Sequence, residues 1–244
     1  LVLRCTNCNG PAMILPDHRH SIANKCLQCS TVDQQAGETL KHAERSRQLL
    51  QAYCRLGLLA KPRTADIEMI DNAVIEQLDY LSSVCYLPCN AVLESIYLAC
   101  RLLHAHEKLD AALRYGSLLD QILSRSEHHK HSEEDYPKIL ITLPNPAFAT
   151  ANNDADTWNV NIEQYIFWCA LFHNAATSID GVYVSIAKRF YARLNKLIKW
   201  VIEHKNKRLA AANDFEVATL DEDISMLKIL KHCKKLQYKS LPHK

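Results

Sequence analysis

Apolar positions recur with a helical period through most of this chain. Between residues 36 and 55, Leu40, Ala43, Leu50 and Cys54 fall on one side of a helix among charged neighbours. Gly57 then predicts a C-terminal cap, and Pro62 a stop. A second helix is predicted from Asp66, its N-cap, with Ile67, Ile70, Val74, Leu78 and Leu81 on one face, ending near Leu87 and Pro88. Asn90 opens a third, carrying Val92, Leu93, Ile96, Tyr97, Cys100 and Leu103. After a turn from His104 to Lys108, a fourth helix runs through Leu109, Ala112, Leu113, Gly116, Leu119 and Leu123. A glycine inside a helix costs about 1 kcal/mol relative to alanine, so Gly116 predicts close approach of a neighbouring helix.

The rhythm stops from Ser124 to Trp158. Ser126 to Asp135 is charged and holds His128, His129 and His131; Pro137, Pro144 and Pro146 follow. This stretch predicts an exposed, mobile insertion, its histidines solvated rather than metal-binding. Helices resume after Asn161, with one stripe at Ile162, Tyr165, Ile166, Cys169 and Phe172. Another runs through Val184, Ile186, Ala187, Phe190, Leu194, Leu197 and Ile198, closing near Trp200 to His204. Lys196, Lys199, Lys205, Lys207 and Arg208 give it a basic polar side, which reads as solvated, with nucleic-acid contact the sharper alternative. A last helix is predicted from Asp221, with Ile224, Leu227, Leu230 and Leu236, then a basic tail. Asp221, Glu222 and Asp223 suit the positive end of its macrodipole.

The third and fourth helices predict an antiparallel hairpin, with Ala99, Ala111, Ala112 and Gly116 at the close approach. Each such hairpin would bury its stripe against the next, as in tetratricopeptide arrays, although no clean period of about 34 residues is visible. The expected class is mainly α: a small N-terminal zinc ribbon at 1–35, then a tetratricopeptide-like array of antiparallel helices. That array occupies 36–125 and 159–244, either side of the irregular polar insertion at 126–158.

The ribbon rests on four cysteines. Cys5 and Cys8, then Cys26 and Cys29, form two Cys-x2-Cys pairs with 17 residues between them. Each pair turns two sulfurs toward one centre, and two pairs supply the tetrahedral thiolate set of structural Zn²⁺, about 2.3 Å from the metal. Gly10, Pro11, Pro16 and Asp17 read as turn residues between two short strands. The polar segment from Asn9 to Lys25 makes no core of its own, so metal binding would supply its folding energy. A pair of disulfides is the alternative reading of the same spacing. The other six cysteines (Cys54, Cys85, Cys89, Cys100, Cys169 and Cys233) show no framework spacing, and several sit on apolar faces as small hydrophobes. His18 and His20, between the pairs, read as solvated loop residues.

Composition narrows the class. Of 244 residues only five are glycine and 48% are apolar, which fits a helical protein. A net charge of +2 gives no global drive toward nucleic acid or membrane. No apolar run approaches the roughly 20 residues that span a bilayer. The chain therefore reads as soluble, reduced and intracellular. Cys85 and Cys89, with three residues between them, are too widely spaced for a thioredoxin-like redox pair, which needs two. No nucleophile elbow and no Gly-rich phosphate loop occurs.

Taken together, Cys5-Thr-Asn-Cys8-Asn-Gly10-Pro11, Pro16-Asp17 and Cys26-x2-Cys29, leading into Ala43-Glu44-Arg45, resemble the segment after the SET domain in SET and MYND domain (SMYD) proteins. The hairpin from Leu93 to Leu103 and from Lys108 to Gly116, with its Ala-Leu-x-Tyr-Gly, looks like the same proteins' C-terminal helical domain. The helix from Asp221 to Leu230 resembles the acidic-apolar helix that ends it. The resemblance extends over about 160 residues and is weakest from Ser124 to Asp180. It implies a protein-lysine N-methyltransferase using S-adenosylmethionine, with chemistry in a SET domain. Its Gly-x-Gly loop and Asn-His motif have no counterpart here, nor is its active-site tyrosine identifiable. The chain would thus be the non-catalytic C-terminal portion, beginning where a SET domain ends. No catalytic or cofactor-binding residue carries over. What carries over is a structural zinc role for Cys5, Cys8, Cys26 and Cys29, and a helical domain that meets protein substrate or partners. The implied location is cytoplasmic or nuclear, and the alternative is a non-enzymatic zinc-ribbon adaptor.

Overall fold

The computed structural model describes residues 3–16, 22–26, 28–33, 36–59, 64–85, 90–128, 155–209 and 214–242. They divide into two compact units, Leu1–Leu143 and Pro144–Lys244. His18, His20, Cys89, the histidine side chains at 128, 129 and 131, and most of the expected 126–158 insertion lie outside the described residues.

The first unit opens with a four-stranded antiparallel meander: β1 (Leu3–Arg4), β2 (Pro11–Pro16), β3 (Ile22–Cys26) and β4 (Val32–Asp33), paired in chain order. Pro11 and Pro16 form the two ends of β2, not a turn between strands; a proline is tolerated at the margin of a strand, where a ladder donor can be missing. Ala12 faces Cys26 across β2 and β3, and both are buried with Cys5 in a small core.

Four helices follow: α1 (Ala36–Leu59), α2 (Thr64–Val84), α3 (Asn90–Ala105) and α4 (Leu109–His128). The predicted stripes are the buried ones: Ala43, Leu50 and Cys54 on α1, Val74, Leu78 and Leu81 on α2, and all six named positions of α3. α1 packs on α2 and α3, and α3 packs on α2 and α4. Gly57 does not cap α1, which continues through it to Leu59. A Cβ at Gly57 would stand 2.5 Å from Leu102 Cδ1 of α3, so the missing side chain is what lets the two helices meet. α4 runs unbroken through buried Gly116 and ends a turn later than the apolar pattern.

The stop between α3 and α4 uses no glycine. Glu107 takes a φ of 62°, its N–H donates to His104 O, and the Lys108 N–H donates to Leu103 O, the paired bonds of a Schellman motif. That turn holds His106, whose Nδ1 lies 2.6 Å from Asp71 Oδ1 of α2, both side chains buried. On the next turns of the same helix, the Tyr115 hydroxyl from α4 donates to Asp79 Oδ1 at 2.6 Å. Polar pins of this kind fix which turns of the stacked helices meet.

The second unit contains α5 (Ala155–Ser178), α6 (Tyr183–Leu209) and α7 (Asp214–Lys239). α5 begins some residues before Asn161, within the stretch expected to be irregular, and α7 begins seven residues before Asp221. The acidic run Asp221–Asp223 is therefore inside α7 and not at its N-terminus; Asp223 instead pairs with Lys205 of α6. The first residues of the basic tail, Gln237 to Lys239, continue the same helix. α6 packs between α5 and α7. Its Phe190 ring stacks between Trp168 and Phe172 of α5, with centroids 5.8 and 5.4 Å away. Of the predicted α7 stripe, Ile224 is buried, Leu227 and Leu230 are half-buried, and Leu236 points outward.

Candidate metal centre

Two loops of the ribbon share one local structure. In each, the first cysteine stands at the end of a strand, Cys5 just after β1 and Cys26 as the last residue of β3, and its carbonyl accepts the N–H four residues on: Asn9 to Cys5 O at 2.9 Å, Ser30 to Cys26 O at 3.1 Å. Its own N–H donates to the carbonyl five residues on, Gly10 at 2.8 Å and Thr31 at 2.9 Å. Asn9 and Ser30 both take left-handed φ values, 58° and 59°. The flanking pairings also correspond, Leu3 opposite Ala12 and Asn24 opposite Asp33. The second loop thus repeats the first, and the strands between them bring the two face to face.

The turn aims backbone donors at sulfur. Asn7 N–H lies 3.4 Å from Cys5 Sγ, and the N–H groups of Gln28 and Cys29 lie 3.3 and 3.4 Å from Cys26 Sγ. Such donors orient the sulfur, as outer-shell hydrogen bonds do around metal ligands. Cys5 and Cys26 are buried, Cys29 is half-buried against them, and Cys8 is exposed.

The four sulfurs converge. Cys8 Sγ lies 3.3 Å from Cys26 Sγ and Cys5 Sγ lies 3.6 Å from Cys29 Sγ, with all four atoms within 4.8 Å of one another. A disulfide would bring sulfurs to about 2.05 Å, so these are unbonded thiols, like every other described cysteine. A tetrahedral ion with bonds of about 2.3 Å separates its sulfurs by about 3.8 Å. The donor set fits such an ion: four soft ligands, two buried and two at the rim, with outer-shell donors in place. Four thiolates also complete a tetrahedral shell and leave no position for a reacting water. Among the described residues this is the one group of three or more Cys, His, Asp or Glu side chains positioned to hold a metal.

Crowding divides the sulfurs by charge. The Thr31 hydroxyl, 3.1 Å from Cys29 Sγ, and the Thr31 backbone hold the Cys29 thiol down at about 5. At Cys8 the Gly10 backbone also pulls downward, but hydrogen bonding to Cys26 and the nearness of the other sulfurs outweigh it and push the thiol up to about 12. Like charges this close cannot all develop without a cation among them. Elsewhere burial pushes Cys54 and Cys169 up to about 12, which makes them inert packing groups. Cys85 is likewise buried and bridges by its backbone to Leu3.

Sequence pattern singled out the four cysteines that the structure gathers and missed the groups around them. Thr31, Asn9 and Ser30 carry no signal as isolated residues; only their matching offsets from Cys5 and Cys26 reveal them. Arg4 is another, its Nη2 donating to Ser82 O at the end of α2 at 3.0 Å. Beside it a cavity of about 180 Å³ opens between the ribbon and the helices, with Thr6, Thr31, Thr39 and Ser83 in its wall. No described helix is long and apolar enough to cross a membrane. No protein-family model, curated protein or solved structure matches this chain.

Proposed function

We propose that this chain is a zinc-stapled, non-catalytic region of a SMYD-type protein-lysine methyltransferase that binds protein substrate or partners through its helices. In this reading Zn²⁺ fills the Cys5–Cys8–Cys26–Cys29 centre and is structural, and the stacked hairpins of α1 to α4 serve as a tetratricopeptide-like surface. The observation that carries it is the coupling of ribbon to helices. Leu3 bridges to Cys85, and the Arg4 guanidinium holds the last turn of α2. A metal site joined in this way sets the position of one wall of a helical surface. The hydroxyl-lined cavity at the junction suits hydrogen bonding to a polypeptide backbone. The closed thiolate shell supports a structural ion over a hydrolytic one.

The test begins with metal content and the coding sequence upstream of Leu1. One Zn²⁺ per chain, lost in Cys5→Ser, is expected, together with an upstream Gly-x-Gly loop, Asn-His motif and active-site tyrosine. In the complete protein, Cys5→Ser should then lower methyl transfer to protein lysines along with zinc. Zinc without those upstream motifs would make the chain a non-enzymatic adaptor. Full methyl transfer by a zinc-free variant would remove the coupling on which the reading rests.

A further inference from the structure

The four sulfurs of the centre form two pairs across the loops, and both pairs have the same make-up. Cys8 Sγ lies 3.3 Å from Cys26 Sγ, and Cys5 Sγ lies 3.6 Å from Cys29 Sγ. In the first pair Cys8 is exposed and Cys26 is 2% exposed; in the second Cys29 is half-buried and Cys5 is 6% exposed. Each pair thus sets a sulfur that a dissolved oxidant can reach against a buried one. That is the layout of a redox-sensing thiol beside its resolving partner. Cys54, Cys85, Cys100 and Cys169 are all buried. Cys233, the other exposed cysteine among the described residues, belongs to the second unit.

Pairing across the loops does what pairing within them cannot. A Cys5–Cys8 or Cys26–Cys29 bond would close one knuckle on itself and leave the two unjoined once an ion is gone. A Cys8–Cys26 or Cys5–Cys29 bond ties one knuckle to the other, over 18 or 24 residues of chain. Closing loops of that length restricts the unfolded chain, so the knuckles stay together without metal.

We propose that the centre is a peroxide-responsive switch that exchanges its ion for Cys8–Cys26 and Cys5–Cys29 disulfides, an inference that rests on its being a zinc site. In each pair the rim thiolate attacks the peroxide. An S–O bond forms, the O–O bond breaks, and the departing hydroxide takes a proton from solvent to become water. The buried sulfur then attacks the oxidised one, forming the S–S bond and expelling a second hydroxide, which is protonated in turn. Two sulfurs lose two electrons, one peroxide gains them, and Zn²⁺ leaves with its charge unchanged.

For the test, the full zinc-loaded chain is treated with hydrogen peroxide, metal is followed with a chromogenic chelator, and disulfides are mapped in unreduced peptides by mass spectrometry. Zinc release is expected in step with Cys8–Cys26 and Cys5–Cys29 links formed within one chain. Dithiothreitol and fresh zinc should then restore the thiols and the metal. Zinc retained while Cys233 is oxidised, Cys5–Cys8 and Cys26–Cys29 links, or sulfinic acids in place of disulfides would each overturn the proposal. A chain that carries no zinc before oxidation removes the structural-ion reading itself, and the exchange with it.

Discussion

The Arg4 guanidinium donates to the Ser82 carbonyl across 78 residues of chain, 3.0 Å from donor to acceptor. The carbonyls in the last turn of a helix have no partner within it, and a cation there also meets the negative end of the helix dipole. A ribbon residue thereby completes α2. Arg4→Ala should lower stability by about 1 kcal/mol while leaving the metal bound. Denaturant melts with zinc analysis of the same samples check this; loss of metal would place Arg4 in the support of the knuckle instead.

Gly57 yields a prediction whose sign opposes helix propensity. Alanine inside a helix is ordinarily favoured over glycine by about 1 kcal/mol. Here the new methyl meets Leu102, which is wholly buried and has little room to withdraw. Overpacking of about 1–3 kcal/mol should prevail, so Gly57→Ala lowers the denaturation midpoint. A raised midpoint would show that α1 and α3 can part at small cost.

These two sites show what sequence pattern conveys in this protein. Cys5, Cys8, Cys26 and Cys29 were legible because each knuckle is local, made within six residues and spelled by its cysteines. The stripes of α1 to α6 were legible because burial on one face imposes the helical period. Gly57 misled because a glycine near a helix end resembles a cap, while its purpose lies 45 residues away at Leu102. The turn between α3 and α4 was legible in its place, His104 to Lys108, but nothing about a glutamate announces the left-handed φ at Glu107 that makes it. The Asp71–His106 pair has no local signature at all, since α2 and the α3–α4 turn meet only in the folded unit. Leu236 fell into the wrong stripe because α7 carries two, and periodicity alone does not rank them.

Metal binding should depend on pH through unequal contributions from the four thiols. Cys8, pushed up to about 12, is protonated at neutral pH and must release its proton to bind; Cys29, held at about 5, is already a thiolate. Affinity therefore falls on acidification, as protons compete for sulfur. In a weakly buffered zinc titration at pH 7 the chain should release protons as metal enters, and Thr31→Val, which withdraws the donor that holds the Cys29 thiol down, should release more than the wild-type chain. An unchanged release would refute the role of Thr31.

Phe190 anchors the second unit between Trp168 and Phe172. It is fully buried, so Phe190→Ala should cost about 3–5 kcal/mol. Thermal unfolding followed by circular dichroism measures it. A cost below 1 kcal/mol would mean that the stack collapses around the gap.

The boundary between Leu143 and Pro144 also divides the chain spectroscopically. All three tryptophans, at 158, 168 and 200, lie in the second unit, while the four-cysteine centre lies in the first. Tryptophan emission thus reports from the second unit, and the ribbon has no tryptophan of its own to signal the loss of metal. Cobalt absorption at the thiolates reads the half that tryptophan does not, and the two colours followed in one sample would report whether the units melt together or apart.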